Sequence, residues 1–277
     1  MITIHLKEII TQAIKEDIGM LDLTSGSIFS PNHTSKGTFI AKSEGVVSGL
    51  DALEITYSIL GEGVEVKLFK KDGEKVLEKE IIAEVEGPTQ ILLTAERVIL
   101  NLVQHLSGIA TSTNDVIRLL DDKSISITDT RKTLPGLRAL QKYAVTSGGG
   151  KNHRFRLDDG VMIKDNHIKA AGSISKAVEI IRSKVGHMVK IEVETESRAQ
   201  VLEAIQSKVD VIMLDNRSPE EVKELVKLVP DEIIIEVSGG ITPENIQGYK
   251  GCGANCISLG WLTHSVKALD ISFNLNQ

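Results

Sequence analysis

Six short apolar stretches in the second half of the chain run directly into polar residues that can do chemistry. Thr128-Asp129-Thr130-Arg131-Lys132 follows the first and Lys164-Asp165-Asn166-His167 the second, while Glu192 and Glu194 lie within the third. Asp215-Asn216, Ser238-Gly239-Gly240 and Gly260 close the other three. An exposed strand end explains any one of these. Six in succession do not fit the burial habits of charged residues unless they face one site. In a βα barrel the reactive groups gather at the carboxyl ends of the strands, so the six endings read as one rim.

The cations sharpen this. From Arg131 to Lys169 there are nine Lys or Arg and three Asp or Glu, so the segment is +6 while the rest of the chain is −12. Arg138, Lys142 and Lys169, at helix or loop positions, read as a solvated basic face. Arg131, Lys132, Arg154 and Lys164 adjoin strand ends or the Gly148-Gly149-Gly150 turn. Cations converging on one mouth repel each other unless an anion joins them. Arginine forks suit carboxylates, and lysines act as point charges on phosphates. His153, between cations, is a candidate substrate contact, whereas His167 reads as a hydrogen-bonded structural residue.

The acids complement the cations. On the strand VKIEVE, period-two alternation puts Lys190, Glu192 and Glu194 on one face. Glu194 and the Asp215 that ends the next strand could share a divalent cation such as magnesium with waters and substrate oxygens; a salt-bridge network inside the barrel is the competing reading. Ser238-Gly239-Gly240 resembles a phosphate cradle, with a helix start at Thr242-Pro243 adding its dipole. A tight turn alone also explains two glycines. Leu259-Gly260 closes the neighbouring strand, and the last strands of such barrels favour phosphate.

The elements that must hold these groups follow from texture. Strand-like pieces at Gly37 to Ala41, Glu44 to Ser48, Val64 to Phe69 and Ile81 to Val85, broken by glycine-rich turns, form an antiparallel α+β pattern. An amphipathic helix precedes them, and the spacing of LLTAERVILNLVQHL predicts a bridging helix over Leu92 to Leu106. Strands then alternate with helices near Ile174 to Val185, Arg198 to Ser207 and Pro219 to Val229, the last opened by Ser218, Pro219 and Glu221 as cap, first-turn proline and capping-box acid. This alternation predicts a parallel sheet, closed or doubly wound. No GxGxxG follows the first strand, which disfavours a dinucleotide site.

Composition bounds the rest. The chain has 277 residues, 41% of them hydrophobic, and a net charge of −6 with nine aromatics. An acidic chain poor in stacking groups is not a dedicated nucleic-acid binder. Charged residues interrupt the amino-terminal apolar run, so it reads as neither signal nor membrane anchor. Cys252 and Cys256 are too few for a disulfide framework and lack zinc-site partners, and the chain reads as cytoplasmic.

Together these motifs are familiar. DTRKTLPGLRALQKYAV (Asp129 to Val145), GGGKNHR (Gly148 to Arg154), IKDNH (Ile163 to His167), IEVE (Ile191 to Glu194), MLDN (Met213 to Asn216), EVSGGIT (Glu236 to Thr242) and SLGWLTHSVKALD (Ser258 to Asp270) resemble the quinolinate phosphoribosyltransferase family. KEDIGMLDLTS (Lys15 to Ser25) and AERVILNLVQHLSGIAT (Ala95 to Thr111) match as well, so the resemblance runs nearly end to end. It implies an α/β fold: an incomplete βα barrel over 107–277 with an amino-terminal α+β sandwich domain over 1–106, on which the last residues could pack back. The implied reaction joins quinolinate and phosphoribosyl pyrophosphate, with magnesium, into nicotinate mononucleotide, pyrophosphate and carbon dioxide for NAD biosynthesis. The resemblance assigns the pyridine carboxylates to Arg131, Arg154, His153 and Lys164, with Arg97 from the partner in a homodimer or a higher assembly of dimers. Lys132 and Lys164 would face pyrophosphate, Glu194 and Asp215 the ribose and magnesium, and Ser238, Gly239, Gly240 and Gly260 the 5′-phosphate. Lys132, Lys164, Glu194 and Asp215 are its expected catalytic set. Thr130, Leu259 and Trp261 complete the expected substrate contacts, although Trp261 stands where a small residue is common.

Three questions stay open at this level. Arg156 competes with Arg154 as an anion contact, and Glu192 with Glu194 as the metal-side acid. The rival activities are a Schiff-base aldolase using Lys164 or Lys190, and a non-catalytic anion-binding or metal-handling relative of the same fold.

Overall fold

The computed structural model describes residues 3–276, so Met1 and Ile2 of the expected first helix lie outside it. The chain divides into two compact units: one is the chain through Asn114, Thr133–Gly149 and the chain from Trp261, the other Asp115–Lys132 and Gly150–Gly260. The order begins α1 (Thr3–Ile18), α2 (Leu23–Ile28), β1 (Thr34–Ala41), β2 (Gly45–Val46), α3 (Asp51–Leu60), β3 (Glu65–Leu68), β4 (Lys75–Val76) and β5 (Ile81–Pro88). Next come α4 (Thr89–Leu120), β6 (Ser126–Thr128), α5 (Arg138–Ser147), β7 (Val161–Ile163), α6 (Asp165–Ala171), α7 (Ile174–Arg182) and β8 (Ile191–Thr195). The chain finishes with α8 (Arg198–Gln206), β9 (Val211–Asp215), α9 (Pro219–Val226), β10 (Ile234–Ser238), a 3₁₀ turn (Ile246–Tyr249), β11 (Cys256–Ser258), α10 (Trp261–His264) and β12 (Ile271–Asn276).

In the first unit four strands pair antiparallel in the order β12-β1-β5-β3. Phe39 stands opposite Phe273 across β1 and β12, their ring centroids 4.8 Å apart. Leu6 and Ile10 of α1, Leu53 and Tyr57 of α3, and Leu92, Ile99 and Leu106 of α4 are buried in one cluster with Phe39, Ile82 and Val85 from the sheet. Each such side chain contributes about 1.5–3 kcal/mol when fully buried. The bridging helix runs well past Leu106, to Leu120. Thr111 and Thr113 hide its period, but their hydroxyls donate back to the carbonyls of Ser107 and Ile109 at 2.7 and 2.8 Å and stay within the helix.

Lys142 corrects the sequence reading. It is fully buried on α5 together with Leu140, Gln141, Ala144 and Val145, because this helix is enclosed on more than one side. Lys169 does remain exposed, paired with Asp165 at 3.1 Å.

The second unit is a six-stranded parallel sheet in the order β6-β11-β10-β9-β8-β7. Sequence neighbours pair and the first strand pairs with the last, which is the winding of a barrel; β6 and β7 do not pair, so the barrel is incomplete. At its β6 edge Thr128 forms a single parallel bridge with Lys151. The capping box of α9 is as expected: Ser218 Oγ accepts the Glu221 N–H at 3.2 Å, and the Glu221 carboxylate accepts the Ser218 N–H at 2.8 Å. No helix starts at Thr242-Pro243, where a turn leads into the 3₁₀ segment. Asn245 makes that turn, accepting the Thr242 N–H at 2.8 Å and donating to the Gly240 carbonyl at 2.9 Å. The expected helix dipole behind the glycines is therefore absent.

Candidate active site

The carboxyl ends of the six strands surround a cavity of about 340 Å³, a size suited to a small molecule. One wall is cationic, with Arg131 and Lys132 after β6, His153 and Arg154 on the segment beside it, and Lys164 after β7. Glu194 of β8, Asp215 of β9 and Ser238 of β10 line it too, as do Thr130, Met162, Met213, Glu236 and Ser258. Nine of the expected site residues thus share one cavity from sequence positions 130 to 238. Nothing but strand order brings them together.

Local bonds aim the wall. The fully buried carboxylate of Asp129, one residue past β6, accepts the His153 N–H at 2.9 Å, and Arg154 donates through Nη1 to the Gly160 carbonyl at 2.7 Å. Burial, then the neighbouring Arg131 charge, holds the Arg154 guanidinium below the ordinary arginine range. Two arginines that repel in a partly dry cavity suit an anion between them. Arg156 is exposed and pairs with Asp158 at 3.3 Å, so Arg154 is the residue that lines the cavity. His167 is not in that lining; its Nδ1 accepts the Lys164 N–H at 2.9 Å and closes the first turn of α6.

On the acidic side, Lys164 Nζ lies 2.5 Å from the Glu194 carboxylate. Asp215 accepts from Asn216 Nδ2 at 2.5 Å, and burial, then the Glu194 charge, raises its carboxyl above the usual range. Glu194 and Asp215 therefore face each other across adjacent strands as like charges, an all-oxygen pair of the kind a hard divalent cation joins. Glu192 is turned elsewhere: with Glu236 it meets His153 Nε2, at 3.1 and 3.5 Å. Flat strands two apart stand roughly 9.5 Å from each other, so two acids on β8 and β10 reaching one nitrogen reflect the curvature of the sheet. Among the described residues these three form the group whose donors lie close enough for a metal, within 4.8 Å of one another.

Gly239 and Gly240 both have positive φ, +87° and +64°. A Cβ on Gly239 would strike the side chain and backbone of Asn216, and one on Gly240 would point into open space. Ser238 Oγ donates to the Ser258 carbonyl at 3.4 Å, tying this turn to β11. Leu259 is buried and donates its N–H to the Thr128 carbonyl at 3.0 Å, Gly260 is the residue after it, and Trp261 opens α10 in the other unit. Arg97, exposed on α4, also belongs to that other unit. Sequence reasoning missed Glu236 as a site residue, although β-alternation places it on the same face as Ser238.

Comparison with known proteins agrees with this architecture. Residues 22–107 match the family model for the N-terminal domain of quinolinate phosphoribosyl transferase, and residues 109–274 match that for its C-terminal domain. A Bacillus subtilis (strain 168) protein named "Probable nicotinate-nucleotide pyrophosphorylase [carboxylating]" is 53% identical, over 98% of this chain and 94% of its own. A Methanocaldococcus jannaschii protein of the same name is 40% identical over 97% of this chain and 96% of its own. The crystal structure of NadC from Streptococcus pyogenes superposes with a TM-score of 0.97 at 38% identity, covering 100% of this chain and 98% of that one. With both domain models matched in order and a 53% identical relative covered nearly end to end, the chain belongs to the quinolinate phosphoribosyltransferase family.

Proposed function

We propose that this protein transfers the phosphoribosyl group of phosphoribosyl pyrophosphate to the ring nitrogen of quinolinate, with decarboxylation, giving nicotinate mononucleotide, pyrophosphate and CO2 in NAD biosynthesis. The observation that carries the reading is the partly buried Arg131–Arg154 pair, facing Glu194 and Asp215 in a single cavity. A dicarboxylate substrate suits the arginines, and a substrate that develops positive charge suits the acids.

In this reading Arg131, Arg154 and Lys164, with His153 beside them, hold the pyridine carboxylates. Lys132 and Lys164 face the pyrophosphate and stabilise it as it leaves. Positive charge grows on the anomeric carbon meanwhile, and Glu194 and Asp215 stabilise it. The pyridine nitrogen attacks that carbon, the resulting pyridinium stabilises the electron pair left on the adjacent ring carbon when CO2 departs, and a proton from solvent then takes the place of the CO2. Ser238, Gly239, Gly240 and Gly260 hold the 5′-phosphate through backbone N–H groups, with Thr130, Leu259 and Trp261 alongside. Lys132, Lys164, Glu194 and Asp215 are the catalytic residues.

The facing carboxylates of Glu194 and Asp215 fit magnesium, which when bound supplies charge neutralisation to the pyrophosphate. Arg97 completes the site from the partner subunit of a homodimer. We place the domain division at residues 1–106 and 107–277, a reading that the family-model matches over 22–107 and 109–274 support. No described helix is long and apolar enough to cross a membrane, and the free thiols Cys252 and Cys256 suit a reducing cytoplasm. An aldolase reading has less support, because Lys164 is engaged by Glu194 and Lys190 is exposed.

The test is to mix the protein with quinolinate, phosphoribosyl pyrophosphate and magnesium and to look for nicotinate mononucleotide by chromatography. Its formation, dependent on both substrates, is expected. A folded protein that forms none overturns the reading.

A further inference from the structure

Toward the amino ends of the strands, His153 and Glu236 of the cavity lining meet Glu192, which lies behind the lining, and none of the steps above employs this group as an acid, a base or a metal site. The side chains of Glu192 and Glu236 are 8% and 5% exposed, and Oε1 of each is buried without a hydrogen-bond partner. Such a group invites a metal reading, and the histidine ring argues against it. Nδ1 of His153 accepts the backbone N–H of Arg154 at 2.7 Å. A peptide N–H can only donate, so Nδ1 carries no proton, and a neutral ring then carries its single proton on Nε2. Nε2 points at the two carboxylates. A metal on Nε2 would need that proton gone from both nitrogens, and histidine ligands generally donate through the other nitrogen instead.

We propose that Glu192 and Glu236 are positioning residues: they hold His153 as the neutral Nε2–H tautomer, whose Nδ1 then fixes the Arg154 backbone and with it one side of the anion site. The histidine thus acts through Arg154, and the charge that meets the substrate belongs to the guanidinium. The charge balance agrees. One N–H is shared by two buried acids, and burial, then the Glu192 charge, pushes the Glu236 carboxyl up to about 7. The Cys256 thiol, donating to Glu236 at 3.6 Å, is likewise pushed up by burial. The importance of Arg154 rests on the functional reading above, but the tautomer does not.

The test has independent arms. In the full-length protein with ¹⁵N-labelled histidine, His153, assigned by its loss in His153→Gln, is expected to show a protonated Nε2 and an unprotonated Nδ1. An imidazolium, or the opposite tautomer, overturns the proposal. Glu192→Leu removes the nearer of the two acceptors and is expected to raise the quinolinate KM about tenfold, with kcat and the KM of the phosphoribosyl donor within about twofold. Glu192→Gln, whose amide oxygen still accepts, restores the affinity. A folded Glu192→Leu enzyme with unchanged quinolinate KM also overturns it, as does a stoichiometric zinc or manganese ion bound by the wild type and lost in Glu236→Gln. If no nicotinate mononucleotide forms at all, the functional reading fails while the nitrogen spectrum still judges the network.

Discussion

Glu192 and Glu194 stand two residues apart on one face of β8, yet they belong to different regions of the barrel interior. Glu194, nearer the carboxyl end of the strand, meets a half-exposed lysine; Glu192, one pleat deeper, meets a histidine that is 13% exposed. The rim is thus a field of paired and facing charges open to an anion, while the floor is an almost dry cluster in which a proton does the work of a counter-ion. The same residue type takes either role because access to water changes over the length of one pleat. Charge at the rim is exchangeable with substrate, and charge on the floor is not.

Substitutions at the rim separate the two regions most sharply. Arg131→Ala is expected to lower kcat/KM by about 10³-fold or more and to weaken quinolinate binding, since it removes one fork of a partly desolvated anion site. Wild-type-like turnover in that variant would sink the assignment of the rim. Asp215→Ala should cost less, about 10²-fold, and should fall on use of the phosphoribosyl donor, with quinolinate affinity measured by calorimetry little changed.

On the floor the expected effect is on stability and its pH dependence. A carboxyl whose folded value is about 7, against an ordinary 4.5, binds more protons folded than unfolded between those values. Stability from Glu236 is therefore present in acid and lost as pH rises through the folded value, by on the order of 3 kcal/mol. Glu236→Gln removes this term, so its melting temperature should gain on wild type between about pH 5 and about pH 8. A difference that stays constant would place the extra proton elsewhere. The smallest effect is expected outside both regions: Arg156→Ala, which breaks only an exposed pair with Asp158, should leave KM and kcat within about twofold.

The sequence made the rim legible because a parallel barrel presents its strand ends in chain order, so Arg131, Lys164, Glu194, Asp215 and Ser238 could be read off one after another. The floor was harder to see. Glu236 sits inside an apolar strand ahead of a glycine turn that drew attention to Ser238, and no local pattern distinguishes a buried acid from an exposed one. Lys142 is illegible for the same reason, because burial on α5 depends on what surrounds a helix. The Thr242-Pro243 signal was real but weaker than the side chain of Asn245, which closed the turn first.

By itself, then, the sequence determined the alternation of strands and helices, the concentration of cations between Arg131 and Lys169, and the motifs that mark the family. Those properties are local in the chain, set by side-chain period, capping and residue type. Only the tertiary structure decided which acid on β8 faces the pocket, that Arg154 and not Arg156 lines it, and which nitrogen of His153 carries its proton. Each of these depends on distance and water access between residues far apart in sequence, and those quantities exist only once the sheet has curved.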